Sequence, residues 1–338
     1  MMKRILTLLC TLLWLPLQSC TDFLLKDAQG QAVVGRSMEF GVDLEPQVLL
    51  SPSGGKYTSR VFNNKPGLSW TSQYSYVAVT AFAEEIVTDG MNEAGLSFGL
   101  LWFPDVTDYP KANPADSQNS IALRDLGSWI LGSFATVDEV RTAIEKVQLW
   151  PHKVPKIPYI PPVHLSIHDK SGKSLVVEYL KGKVMVFDNP VGALTNTPEF
   201  PWQITNLSNY LNLTSISESP LRLENVEIHP LGMGSGLLGI PGDWTSPSRF
   251  VRIVTLKNII NKAPNPRENV NAAFHLLNTV DIPFGALKSA DGSYISYTQW
   301  VVVKDFKNMY MHYRSYNDLN IKSIKLEGSK RKIFPLKP

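Results

Sequence analysis

The feature that most constrains this chain is a cysteine placed directly behind a short apolar segment. Residues 1–19 read MMKRILTLLCTLLWLPLQS. Lys3 and Arg4 give a small positive start, Ile5 to Leu17 carry no charge, and Ser19 sets a small residue before Cys20. This is the layout of a secretory signal, with an apolar run too short to span a bilayer. Cleavage after Ser19 would leave Cys20–Pro338, beginning with a thiol and a free α-amine on one residue. A thiolate is a nucleophile, and an α-amine of pKa about 8 is a base matched to neutral pH. Leu17-Gln18-Ser19-Cys20 also reads as a lipobox. Lipid on the sulfur and an acyl group on the amine would block both groups. The first twenty residues leave both readings open.

Cysteine usage bears on that choice. The chain has two cysteines, and Cys10 lies inside the apolar segment. The mature chain would keep Cys20 alone, a candidate for reactivity rather than a disulfide half. An apolar fraction of 43% suffices for a substantial core, so residues 20–338 read as one domain. The net charge of +3 is spread along the chain, and Lys330-Arg331-Lys332 reads as a solvated tail. That balance argues against a nucleic-acid partner. No later stretch approaches eighteen uncharged apolar residues, so a membrane partner is expected only if Cys20 is lipidated.

The pattern along the chain is strands, then helices, then strands. Phe23–Leu25 and Ala32–Arg36, joined through Asp27–Gly30, read as a hairpin. Tyr76–Ile86 and Leu96–Phe103 read as strands, joined through Asp89–Gly95, and Pro104–Ser120 as a loop. Thr136-Val137-Asp138-Glu139 is a capping box ahead of Val140, Ile144 and Val147 on one helical face. Trp150–Val163 carries five prolines and reads as an irregular connection. His164–Asp188 reads as a second hairpin turning at Asp169–Gly172. Phe250 to Ile260 and Val270 to Leu277 mark two more helices, and Tyr297–Leu326 returns to strand. The absence of βαβαβ alternation argues for an α+β fold rather than a doubly wound parallel sheet.

Other motifs carry less. Gly234-Ser235-Gly236-Leu237-Leu238-Gly239 matches GxGxxG but lacks the strand before it that dinucleotide binding requires. Asn206-Leu207-Ser208 and Asn212-Leu213-Thr214 are sequons, relevant only in a eukaryotic secretory pathway. No acidic or histidine cluster has metal-ligand spacing, and no cofactor is expected. None of the six histidines sits in a thiol-protease context; His168 and His312 fall within strands and read as structural.

A set of ordered motifs then carries a resemblance. Cys20-Thr21 opens it, followed by Gly35-Arg36-Ser37-Met38-Glu39-Phe40 and Asn92-Glu93-Ala94-Gly95-Leu96 with Trp102-Phe103-Pro104. Asp188-Asn189-Pro190-Val191-Gly192 leads into Leu194-Thr195-Asn196-Thr197-Pro198. Gly239-Ile240-Pro241-Gly242-Asp243, Ser248-Arg249-Phe250 and Tyr297-Thr298-Gln299-Trp300 complete it. The chain resembles the choloylglycine hydrolase family, N-terminal-nucleophile amidases that include bile salt hydrolases and penicillin V acylases. The resemblance implies an αββα sandwich, two stacked antiparallel sheets between helical layers, and hydrolysis of a linear amide C–N bond. It implies Cys20 as nucleophile with its own amine as base, and Arg36 and Glu39 holding both. It implies Asn196 as oxyanion donor, Arg249 completing the charged network, and often a homotetramer.

Two departures bear on specificity. Glu39 stands where many members have aspartate, and Trp102 where bile salt hydrolases commonly have asparagine. An indole there makes a backbone N–H the expected second oxyanion donor. It resembles the Gram-negative branch, with its penicillin V acylases and enzymes that cleave acyl-homoserine lactones. The expectation is an exported, periplasmic or secreted amidase for such small-molecule amides, with Trp102, Phe40 and Phe103 lining the acyl pocket. Conjugated bile salts are the alternative substrate. A lipid-anchored envelope binding protein is the non-enzyme alternative, but an anchor does not call for Arg36, Asn196 and Arg249 in those settings.

Overall fold

The computed structural model describes residues 19–154, 156–327 and 330–336. Apart from Ser19, the segment read as a signal lies outside them. The alternation after Cys20 forms an antiparallel hairpin of Ser19–Lys26 and Ala32–Phe40, with Cys20 opposite Met38 and Asp22 opposite Arg36. Its turn is set by Asp27, whose Oδ1 accepts the amide hydrogens of Gln29 (2.9 Å) and Gln31 (2.8 Å). A Cβ on Gly35 would sit 2.7 Å from the Phe23 ring, so glycine lets that aromatic cross the hairpin.

This hairpin lies within one antiparallel sheet. In spatial order its strands are Ala193–Leu194, Ser19–Lys26, Ala32–Phe40, Ile295–Asp305, Tyr310–Ser315 and Asp318–Lys325, with Leu287–Lys288 also paired to Ile295–Asp305. The second sheet runs Lys183–Asp188, Ser174–Leu180, Val163–Asp169, Leu96–Trp102, Ile86–Asn92, Tyr76–Ala81, Gln47–Ser51 and Lys332–Pro335. Helices α1 (Leu126–Ser133) and α2 (Val137–Ile144) pack on the second sheet. A short α3 (Phe200–Asn206) follows the edge strand of the first sheet and leans on α4 (Ser246–Ile259). Helices α4 and α5 (Pro266–Asn278) cover the first sheet. The order helix, sheet, sheet, helix is the expected αββα sandwich. Local chemistry starts the helices where the sequence implies. Thr136 and Glu139 form the capping box of α2, and the Asn265 side chain accepts the Glu268 amide at the start of α5.

Some segments differ from the sequence pattern. The run Tyr76–Ile86 breaks at residues 82–85, and Ile86–Asn92 is a strand rather than a connection. Asp89 misled the reading: its carboxylate is fully buried against Lys304 of the other sheet, where polarity does not mean loop. Residues 47–71 hold three strands that no apolar alternation announced. The basic tail is exposed but not unstructured, because Lys332–Pro335 pairs with Gln47–Ser51 and closes an edge of the second sheet.

Candidate active site

Strand alternation sorts the hairpin into two faces. Cys20, Met38, Arg36 and Phe40 share the face toward the second sheet, where the Cys20 Sγ lies 3.8 Å from the Met38 sulfur. Thr21 and Glu39 point the other way, toward α4. Arg249 of α4 reaches up from there. Its Nη1 donates to the Cys20 carbonyl (2.5 Å) and to Thr21 Oγ1 (2.7 Å), and its Nη2 to Asn196 Oδ1 (2.7 Å). The Asn196 Oδ1 also accepts the Cys20 backbone N–H at 2.8 Å. Its Nδ2 gives one hydrogen to the Trp102 carbonyl at 2.6 Å and keeps a second. The Asn196 loop is fixed in turn by Ser246, which accepts the Asn196 amide (2.8 Å), and by Gln203, which donates to the Asn196 carbonyl (3.2 Å). The sequence-expected residues Cys20, Arg36, Glu39, Asn196 and Arg249 therefore converge, and each is nearly fully buried.

The charges around the thiol oppose one another. Burial pushes the Cys20 thiol above its ordinary value; Arg36, the Trp102 backbone N–H directed at it, and Arg249 pull it back, while Glu39 pushes it up. Burial also raises the Glu39 carboxyl to about 7, although Arg249, the Ser37 and Thr298 hydroxyls and Arg36 favour its ionised form. Glu39 Oε1 accepts from Thr298 at 3.0 Å. Arg36 is held by its Nη2 donating to the Leu100 carbonyl at 2.7 Å.

An apolar pocket opens on the thiol side. Cys20, Met38, Phe40, Phe82, Leu101 and Trp102 line it, with Arg124 the one charged residue among the described residues. Phe40 meets Trp102 edge to face at 5.5 Å. Phe103, expected in this wall, is absent from it; the reversal of side-chain direction after Trp102 carries its ring onto His164, stacked at 4.2 Å. A second recess, beside Ser19, is bounded by Asn196, Arg249, Trp244, Lys288 and Tyr294. Among the described residues no group of His, Cys, Asp or Glu could hold a metal, and no helix is long and apolar enough to cross a membrane.

Sequence reasoning missed a buried ionic cluster between the sheets. Asp22 Oδ1 accepts from Ser166 (2.7 Å) and meets His168 Nε2 (2.6 Å). Lys304 pairs with Asp89 and lies 3.9 Å from Asp22. Burial alone would raise the Asp22 carboxyl; His168, Lys304 and Arg36 more than offset it and hold it well below the usual range. Burial keeps Asp89 up at about 6. The available signal was charge at inward positions of apolar strands, as at Asp22 in CTDFLL and Lys304 in WVVVKD.

The stacking of two antiparallel sheets between helical layers, with the hairpin 19–40 inside one sheet, defines an N-terminal-nucleophile hydrolase fold. A solved variant of the conjugated bile acid hydrolase from Clostridium perfringens superposes with a TM-score of 0.82 at 28% identity, over 93% of this chain and 96% of that one. Penicillin V acylase from Agrobacterium tumefaciens superposes with a TM-score of 0.74 at 27% identity, over 91% and 86%. Residues 20–331 match the family model for linear amide C–N hydrolases of the choloylglycine hydrolase family. The chain belongs to that family and is a hydrolase of linear amide C–N bonds. Bile salt hydrolase/transferase of Clostridium perfringens is 30% identical over 93% of this chain and 96% of that protein.

Proposed function

We propose that this is an exported amidase whose nucleophile is the thiol of Cys20, released with a free α-amine by cleavage after Ser19. The observation that carries the reading is one sulfur beside an apolar pocket, with the Trp102 N–H directed at it and Asn196, whose Nδ2 has a spare hydrogen, bonded to the Cys20 backbone. The thiolate attacks the amide carbonyl, and the oxyanion rests on those two donors. Arg36 and Arg249 favour thiolate. The freed amine stays beside Asn196 Oδ1, gives its proton to the leaving nitrogen and then activates the water that hydrolyses the thioester. Because that amine lies on the Ser19 side, the leaving group occupies the recess of Trp244 and Lys288, while the acyl part enters the apolar pocket.

The substrates we propose are amides with an apolar acyl group, penicillin V-like aryl amides or N-acyl-homoserine lactones, for which Trp102 and Phe40 are the aromatic wall. A second reading, conjugated bile salts, is favoured by the identity with the Clostridium perfringens bile salt hydrolase/transferase. Hydrolysis rates on penicillin V, a long-chain acyl-homoserine lactone and glycocholate decide between them. Intact mass tests the first step: a free Cys20 terminus supports the amidase, and diacylglycerol on Cys20 refutes it. We propose further that the protein is a single domain from Cys20 onward and assembles as a homotetramer. The segment 211–238 supports assembly, because it exposes Leu211, Ile216, Val226, Met233 and Leu238.

A further inference from the structure

His164 and Glu178 belong to no part of the chemistry above, yet neither has any exposed surface. They sit on neighbouring strands of the second sheet, Val163–Asp169 and Ser174–Leu180. Both ring nitrogens of His164 face oxygen. Nε2 lies 3.0 Å from the Thr195 carbonyl, and Nδ1 lies 3.3 Å from Glu178 Oε1. A carbonyl only accepts, so Nε2 carries a hydrogen and donates it to Thr195. Nδ1 faces the Glu178 carboxylate. Glu178 Oε1 is itself anchored by the Phe200 backbone N–H at 3.0 Å.

The positions of these contacts matter. Thr195 precedes Asn196, so the Nε2 bond pins the peptide that carries one oxyanion donor. The flat face of the same ring stacks on Phe103 at 4.2 Å and 6°. Phe103 follows Trp102, whose N–H is the other donor. One imidazole thus holds both halves of the hole, which come from different sheets. We propose that the buried His164–Glu178 pair is a positioning pair that fixes the spacing of the Asn196 and Trp102 donors. The inference rests on the amidase reading for what those donors do.

The test separates the hole from the nucleophile. Acylation of Cys20 by p-nitrophenyl acetate passes through an oxyanion, whereas alkylation by iodoacetamide does not. Cys20 is the single thiol of the mature protein, so both rates report one atom. His164→Phe keeps the stack and loses the donor; Glu178→Ala removes the anchor; Glu178→Gln keeps the anchor, its Oε1 still accepting from Phe200, but the same atom cannot also donate to Nδ1. In His164→Phe and Glu178→Ala the p-nitrophenolate burst rate falls roughly 10- to 100-fold, less than loss of a whole donor. Alkylation stays within about threefold, because the thiolate environment is intact. Glu178→Gln, which keeps the Phe200 contact, loses less acylation than Glu178→Ala and alkylates at close to the wild-type rate. Wild-type burst rates in His164→Phe, or equal loss of acylation and alkylation, overturn the proposal. If His164→Phe does not fold, the ratio of the two rates in Glu178→Ala against Glu178→Gln decides it. A wild-type protein that gives the burst but hydrolyses none of the three amides overturns the substrate reading and not this one.

Discussion

The hairpin 19–40 and the segment 211–238 invert the usual division between inside and outside. In the hairpin Asp22, Arg36 and Glu39 are buried to 1% exposure or less. In the other segment Leu211 is 85% exposed, Ile216 74% and Met233 fully, and the small hairpin pairing Leu221 with Ile228 exposes both. Buried charges are tolerated only when each is paired or hydrogen-bonded, so the first region is costly to build and is where we propose the chemistry lies. Exposed apolar side chains cost little in folding one chain but favour a partner, so the second is the surface on which the proposed assembly would form. The lesson is that residue polarity reports what a side chain will contact, not its depth.

The first way to break that contrast is at the sulfur. Cys20→Ser lowers kcat/KM by at least about 10³-fold with folding unchanged, read by steady-state hydrolysis and circular dichroism. Asn196→Ala follows, with a loss of about 10²–10³ in kcat. Retention of near-wild-type kcat there would remove Asn196 from the oxyanion hole. Behind the site, Lys304→Met strands Asp89 and costs about 3–5 kcal/mol in urea unfolding, while adding Asp89→Leu recovers part of it.

A pH experiment sharpens the same region. Glu39 titrates near 7 in the folded protein, above its unfolded value. Between pH 4.5 and 7 the folded state therefore holds a proton that the unfolded state has lost, and stability falls as pH rises. Glu39→Gln flattens that decline in a Tm-against-pH series and removes an inflection near pH 7 from kcat/KM; an unchanged slope would place the buried proton elsewhere. The smallest effect belongs to the exposed segment. Val226→Glu with Ile228→Glu changes stability by no more than about 0.5 kcal/mol. Sedimentation velocity should nevertheless show the assembly dissociating.

The legible parts of this protein were those with local causes. The Asp27 turn, the capping box at Thr136 and the helices around Phe250 and Phe274 each follow from a few neighbouring residues. Ordered motifs also brought Cys20, Arg36, Glu39, Asn196 and Arg249 forward. The strand at Asp89 and the placement of Phe103 were not legible, because both depend on residues distant in the chain: Lys304 for one, His164 for the other.

By itself the sequence singled out one cysteine behind an apolar segment and the ordered motifs that go with it, since composition and motif order are properties of one dimension. Only the tertiary structure decided that Arg36 meets the Leu100 carbonyl of the second sheet while Glu39 meets Thr298 of its own sheet. It alone bridged the sheets with His164, and it turned Trp102 into both pocket wall and N–H donor. The physical reason is that hydrogen bonds and burial act over a few ångströms in space, and the residues they join here, such as Cys20 and Arg249, lie more than two hundred positions apart.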